Sequence, residues 1–141
     1  MSDRVFVDTN ILIYAHDIDA GRKHAVAAER VRGLWMSRDG VVSLQVLQEL
    51  YVNVTRKIPK PLSRKIAREL VGSYAAWTVQ RLDAADIVDA SEIEERHKLS
   101  FWDALIVAAA RKAMATTLLS EDLSHGQRIE GVRVENPFRK T

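Results

Sequence analysis

The chain has 141 residues, 47% of them hydrophobic, and a formal net charge of +2. That length can bury one sizeable core and is too short for two ordinary domains, so one domain over residues 1–141 is expected. Cysteine is absent, which excludes disulfides, thiolate metal sites and cysteine nucleophiles and makes a reducing cytoplasm the expected compartment. The small basic excess is compatible with a polyanionic partner but does not require one.

Met1-Ser2-Asp3-Arg4 leads directly into Val5-Phe6-Val7, so neither a leader peptide nor a membrane span is expected. Val5-Phe6-Val7 is an apolar, β-branched run ending in Asp8-Thr9-Asn10, the pattern of a buried strand that hands its last residue to a pocket. Residues 10–17 and 22–38 carry apolar positions at helical spacing, broken at Asp19-Ala20-Gly21. Leu34 and Trp35 are expected to close the second of these helices onto the core. A short strand Val41-Val42-Ser43 follows, with Ser43 capping a helix from Leu44 to about Lys57. Pro59 and Pro61 enforce a break.

Residues 62–75 read as a helix, Trp77-Thr78-Val79 as a brief extended segment, and 83–98 as a helix with acids on its outer side. Phe101 to Met114 is the most apolar helix. Its five alanines, at 104, 108, 109, 110 and 113, allow close approach of neighbouring elements. Thr116 to Leu119 reads as a strand ending at Ser120-Glu121-Asp122, and Val132-Arg133-Val134 as an edge strand before a tail at Pro137. Strands alternating with helices in this length predict an α/β/α sandwich on a short, mostly parallel sheet, with the ligand site at the carboxyl ends of the strands.

Four acids stand at such ends or on adjoining helices: Asp8, Glu49, Asp103 and Asp122. Each has a plainer role open to it. Asp8 can cap the first helix, Glu49 can be a solvated helix residue, Asp103 fits a capping box with Ser100, and Asp122 can shape its turn. Glu49, however, lies at the margin of the stripe formed by Val46, Leu47, Leu50 and Val54. Gln45 and Asn53, one turn to either side, complete a polar row beside the core. One cation-filled pocket would satisfy all four acids together.

The segments Asp8-Thr9-Asn10-Ile11-Leu12, the helical Glu49, Ser100-Phe101-Trp102-Asp103-Ala104-Leu105-Ile106 and Leu119-Ser120-Glu121-Asp122-Leu123 resemble the PIN-domain ribonucleases, and most closely their VapC-like branch. The resemblance covers nearly the whole chain. It implies an endoribonuclease that cuts phosphodiester bonds by metal-activated water. It also implies that the chain is the toxin of a toxin–antitoxin pair, forming a homodimer held inactive by a cognate antitoxin. Asp8, Glu49, Asp103 and Asp122 take the places of the family's catalytic acids, with Asn10 and Ser120 as polar supports and Glu121 as an outer acid. Hard carboxylate oxygens suit Mg²⁺ or Mn²⁺. Asp8, Asp103 and Asp122 are the leading ligands, and Glu49 is either a further ligand or the group that orients the attacking water.

RNA needs cations outside that pocket, and Arg56, Lys57, Lys60, Arg64, Lys65 and Arg68 form a candidate phosphate track. Arg22, Lys23 and His24 form a smaller one. His16, His24, His97 and His125 lack zinc-type spacing, and Trp35, Trp77 and Trp102 are expected in the core rather than stacked on bases. Two other classes stay open: a catalytically silent module that binds RNA or protein, and a small-molecule phosphoryl enzyme. Against the latter, position 10 is Asn, so the second acid of an Asp-x-Asp nucleophile motif is missing.

Overall fold

In a computed structural model, which describes residues 3–139, six strands form one sheet in the order β3-β2-β1-β4-β6-β5. The outermost residues of the expected 1–141 span, at positions 1, 2, 140 and 141, lie outside the described residues. In chain order the elements are β1 (Val5–Val7), α1 (Thr9–His16), a 3₁₀ turn (Ile18–Ala20), α2 (Arg22–Ser37), β2 (Gly40–Ser43), α3 (Leu44–Arg56) and α4 (Arg64–Tyr74). They continue with β3 (Thr78–Gln80), α5 (Ala84–His97), α6 (Phe101–Lys112), β4 (Thr117–Leu119), β5 (Arg128–Ile129) and β6 (Val132–Glu135). Every pairing is parallel except β5 with β6. The architecture is therefore the expected α/β/α sandwich.

The strands read as short continuous apolar runs because a parallel sheet is covered on both faces. Phe6, Val7, Val42, Leu118 and Leu119 are all fully buried. Helices α1 to α4 pack on one another, while α5 pairs with α6, and α6 lies along β2, β3, β4 and β6. All five alanines of the 101–114 segment are buried, and their small size lets that helix sit close to the sheet.

Element boundaries differ from expectation where a cap decides them. Ser63 accepts from the Ile66 amide and starts α4 two residues late. Asp83 and Asp86 form a reciprocal capping box that makes 83 the cap of α5 rather than its first turn. The helix expected to run to Met114 ends at Lys112, where the chain turns through a positive φ at Met114.

The expected edge strand at 132–134 is not an edge. β6 lies between β4 and the two-residue β5, joined to β5 by a tight turn at Glu130-Gly131 with φ of 51° and 83°. Two consecutive positive φ values suit a hairpin whose twist matches its strands. The Glu130 carboxylate then accepts from Arg96, His97 and Arg111, docking the hairpin on α5 and α6.

Trp35, expected to close α2 onto the core with Leu34, is 39% exposed, whereas Leu34 is buried. Its indole packs instead against Tyr74 and Trp77 at the sheet edge. Gly40 is required there. A Cβ at position 40 would come within 2.5–2.8 Å of three Trp77 ring carbons. Gly40→Ala is expected to lower stability by about 1–3 kcal/mol, read as a drop in the urea midpoint at unchanged slope. A midpoint equal to wild type would mean that Trp77 moves aside freely.

Candidate active site

The strand order reverses between β1 and β4, because successive crossovers from β1 lead outward to β2 and β3 before the chain returns to the far side of β1. Such a switch point opens a crevice beyond the strand ends. Here β1 ends into Asp8 and β4 ends into Ser120-Glu121-Asp122. Helices α3 and α6 contribute Glu49 and Asp103. The four acids line one cavity of about 210 Å³, together with Thr9, Asn10, Gln45 and Asn53. Ile13, Ile106 and Trp102 complete its wall.

Asp8 is the anchored member. It is 5% exposed, caps α1 by accepting from the Thr9 amide at 2.7 Å, and accepts from Ser120 Oγ at 2.8 Å. Capping and a place in the cavity are thus two uses of one carboxyl group. Burial pushes that carboxyl from 3.8 up to about 7, against the Ser120 and Thr9 hydrogen bonds and with help from the Asp122 and Asp103 charges.

Thr9 Oγ1 donates to Glu49 Oε1 at 2.6 Å, which ties α3 to α1. Asn10 Nδ2 donates to Asp122 Oδ2 at 2.9 Å, while Asn10 Oδ1 accepts from the Glu121 amide at 3.3 Å. Ser120 Oγ also accepts from the Asp122 amide at 3.1 Å. Ser120 caps the Asp122 turn and binds Asp8 with one hydroxyl, because a hydroxyl both donates and accepts.

Asp103 sits in the first turn of α6, its amide donating to Ser100 Oγ at 3.1 Å. Its carboxyl is raised above the ordinary range, by burial first and by the Asp122 and Glu49 charges as well.

Every acidic side chain in the set offers hard oxygens, and the buried Asp8 charge has only two hydrogen-bond donors to offset it. That chemistry fits a divalent cation. Among the described residues no three acidic or histidine side chains converge into a closed coordination shell. The site is a ring of donors around an open cavity, as mutual repulsion between carboxylates dictates.

Other expected residues lie elsewhere. Glu121 turns away from the cavity, accepting from Tyr14 Oη at 2.9 Å and pairing with Lys23. Lys23 is thereby committed within the fold, as are Arg22, on the Phe138 carbonyl, and His24, on that of Tyr14. His125 Nδ1 accepts from the Asn136 amide.

Arg56, Lys57, Lys60, Arg64, Lys65 and Arg68 are all exposed, but none lines the cavity. They gather at the far end of α3 and on α4, and Lys60 is 3.8 Å from Asp19. Trp102, expected in the core, is 63% exposed at the cavity mouth. The second position of α6 points outward even though the helix is otherwise buried, and only its adjacency to Asp103 signals that place. Thr9 is a site residue that no sequence pattern marks, apart from its position between Asp8 and Asn10.

A parallel sheet with an acid-lined crevice at its switch point defines a class of α/β proteins, and the comparisons name the family. The PIN domain model matches residues 5–127, and the chain belongs to that family. A search of curated proteins found no match.

Among solved structures, a toxin–antitoxin complex from Klebsiella pneumoniae superposes with a TM-score of 0.69 at 21% identity, covering 96% of this chain and 99% of that one. DNA-bound VapBC from Salmonella typhimurium gives 0.66 at 19% identity, with the same coverage. The sarcin-ricin loop cleaving toxin VapC20 of Mycobacterium tuberculosis gives 0.62 at 22%, covering 84% and 89%. At these identities the likeness is one of fold.

Proposed function

We propose that the chain is a Mg²⁺- or Mn²⁺-dependent endoribonuclease and the toxin half of a toxin–antitoxin pair. The observation that carries this reading is the buried Asp8 carboxyl facing Glu49, Asp103 and Asp122 across one crevice in a PIN family member. Asp8, Asp103 and Asp122 hold the cation, and Asn10 and Ser120 hold Asp122 and Asp8 in place. Glu49, anchored through Thr9, is a further ligand or orients the attacking water. When bound, the cation supplies charge to the scissile phosphate and acidifies a water beside it.

The basic residues from Arg56 to Arg68 carry the RNA backbone away from the crevice. An antitoxin segment that places a basic side chain among the acids would silence the protein, a role in keeping with the toxin–antitoxin complexes among the structural neighbours. We further propose a homodimer working in the cytoplasm.

The test is cleavage of a labelled structured RNA pool with Mg²⁺, with Mn²⁺ or with chelator. Cutting confined to the metal-containing reactions is expected. Intact RNA in all of them, with folded antitoxin-free protein, would turn the reading to a silent RNA- or protein-binding module.

The basic track makes a separate prediction. Replacing Arg64, Lys65 and Arg68 by Gln should weaken RNA binding and reduce the slope of log affinity against log salt by about 0.7 for each phosphate that is no longer neutralised. An unchanged slope in fluorescence anisotropy would remove these residues from the interface.

A further inference from the structure

A second cavity, of about 240 Å³, adjoins the acid-lined one and shares two walls with it, Gln45 and Trp102. It opens beyond the carboxyl ends of β2 and β3, on the same rim of the sheet, where Ser43 and Gln80 end those strands. Its floor is apolar, from Leu82, Ile87 and Leu105, and its polar groups are the amides of Gln45, Gln48 and Gln80 with the Ser43 hydroxyl.

Three of the large side chains at its border are open to solvent: Leu44 at 40%, Ile87 at 50% and Trp102 at 63%. The Trp102 indole is braced edge-on by Phe101, with ring centroids 5.5 Å apart. It is a fixed aromatic surface beside a candidate catalytic acid, not a loose side chain.

From this geometry we infer a nucleobase subsite: Trp102 stacks on an unpaired base next to the scissile phosphate, and the glutamine amides meet that base's edge. The inference rests on the ribonuclease reading, since the acid-lined cavity fixes where the phosphate lies. An apolar slot with one open aromatic face and side-chain amides suits a planar heterocycle. An amide offers a donor and an acceptor at once, as a base edge requires, and a stacked base needs an unpaired strand. The same slot has no cation among its lining residues and so does not suit a second phosphate. The substrate class that follows is single-stranded or looped RNA, with one base adjoining the cut read by direct stacking and hydrogen bonding.

The test uses the Asp8→Asn protein, so that bound RNA stays intact, and a fluorescent single-stranded oligonucleotide set in which one base at a time is deleted to leave an abasic sugar. In the Asp8→Asn background, loss of one particular base should weaken binding by about 5- to 100-fold. Adding Trp102→Ala should weaken the intact strand by the same factor and abolish the difference from that abasic strand. Trp102→Phe should retain most of it. Because residue 102 is exposed, the substitution leaves the melting curve nearly unmoved.

Equal binding of all strands, or no binding of the intact strand, overturns the subsite. So does a change in molar mass on Trp102→Ala by light scattering, which would assign the face to packing between copies of the chain. Wild-type cleavage with Mg²⁺ but no base discrimination would leave the nuclease reading standing without the subsite. Base discrimination without cleavage would do the reverse.

Discussion

Asp8→Asn is expected to reduce metal-dependent RNA cleavage by about 10²- to 10³-fold or more while leaving the fold intact. The substitution removes one negative charge and little else. An Asn oxygen at position 8 still accepts from the Thr9 amide, and its nitrogen donates to Ser120 Oγ, whose lone pairs are available. The cap of α1 and the link from β1 to β4 therefore survive. What disappears is the most buried anionic ligand of the crevice, and a cation's contribution to such a reaction is several kcal/mol at about 1.4 kcal/mol per tenfold in rate. Single-turnover cleavage at saturating protein measures the step directly. Activity within tenfold of wild type would exclude Asp8 from the metal site and move the chemistry to the other three acids.

The same substitution is expected to stabilise the metal-free protein at neutral and alkaline pH. Asp8 titrates at about 7 when folded and near 3.8 when unfolded, because burial opposes its charge. Below pH 3.8 both states hold the proton, and the carboxyl costs nothing. Between 3.8 and 7 the unfolded chain gives up its proton first, so the stability linked to this group falls as pH rises, and above 7 the decrease is complete. The deficit is about 3–5 kcal/mol, taking about 1.4 kcal/mol per pKa unit.

In chelator at pH 8, Asp8→Asn should then melt about 10 °C above wild type, with the gap closing toward pH 4. Millimolar Mg²⁺ or Mn²⁺ should raise the wild-type midpoint and leave the variant where it was, since only an ionised carboxyl gains from the cation. Coincident pH profiles, together with a wild-type melt indifferent to both metals, would show that the crevice holds no divalent ion.

The elements that sequence specified are those governed by local pattern. Val5-Phe6-Val7 and Val41-Val42 are buried on both faces, and a run apolar at every position, not at alternate ones, signals that burial directly. The same holds for the alanine-rich α6, and Ser43 marks the start of α3 by a local hydrogen bond to the Val46 amide. Four acids, each following a strand or lying on a helix beside one, were legible as a group because topology carries strand ends to one rim.

Tertiary structure alone decided which neighbours completed the cavity. Glu121 and Asp122 are adjacent in sequence, yet one pairs with Lys23 and the other with Asn10. Which way each side chain faces depends on α1 and α2, brought in from more than ninety residues away. The edge position of β5, the outward face of Trp102 and the separation of the Arg56–Arg68 cations from the crevice are of the same kind. Local sequence sets a residue's backbone state through interactions within a few residues. Its exposure and partners are set by packing between elements far apart in the chain, and that packing exists only once the sheet has assembled.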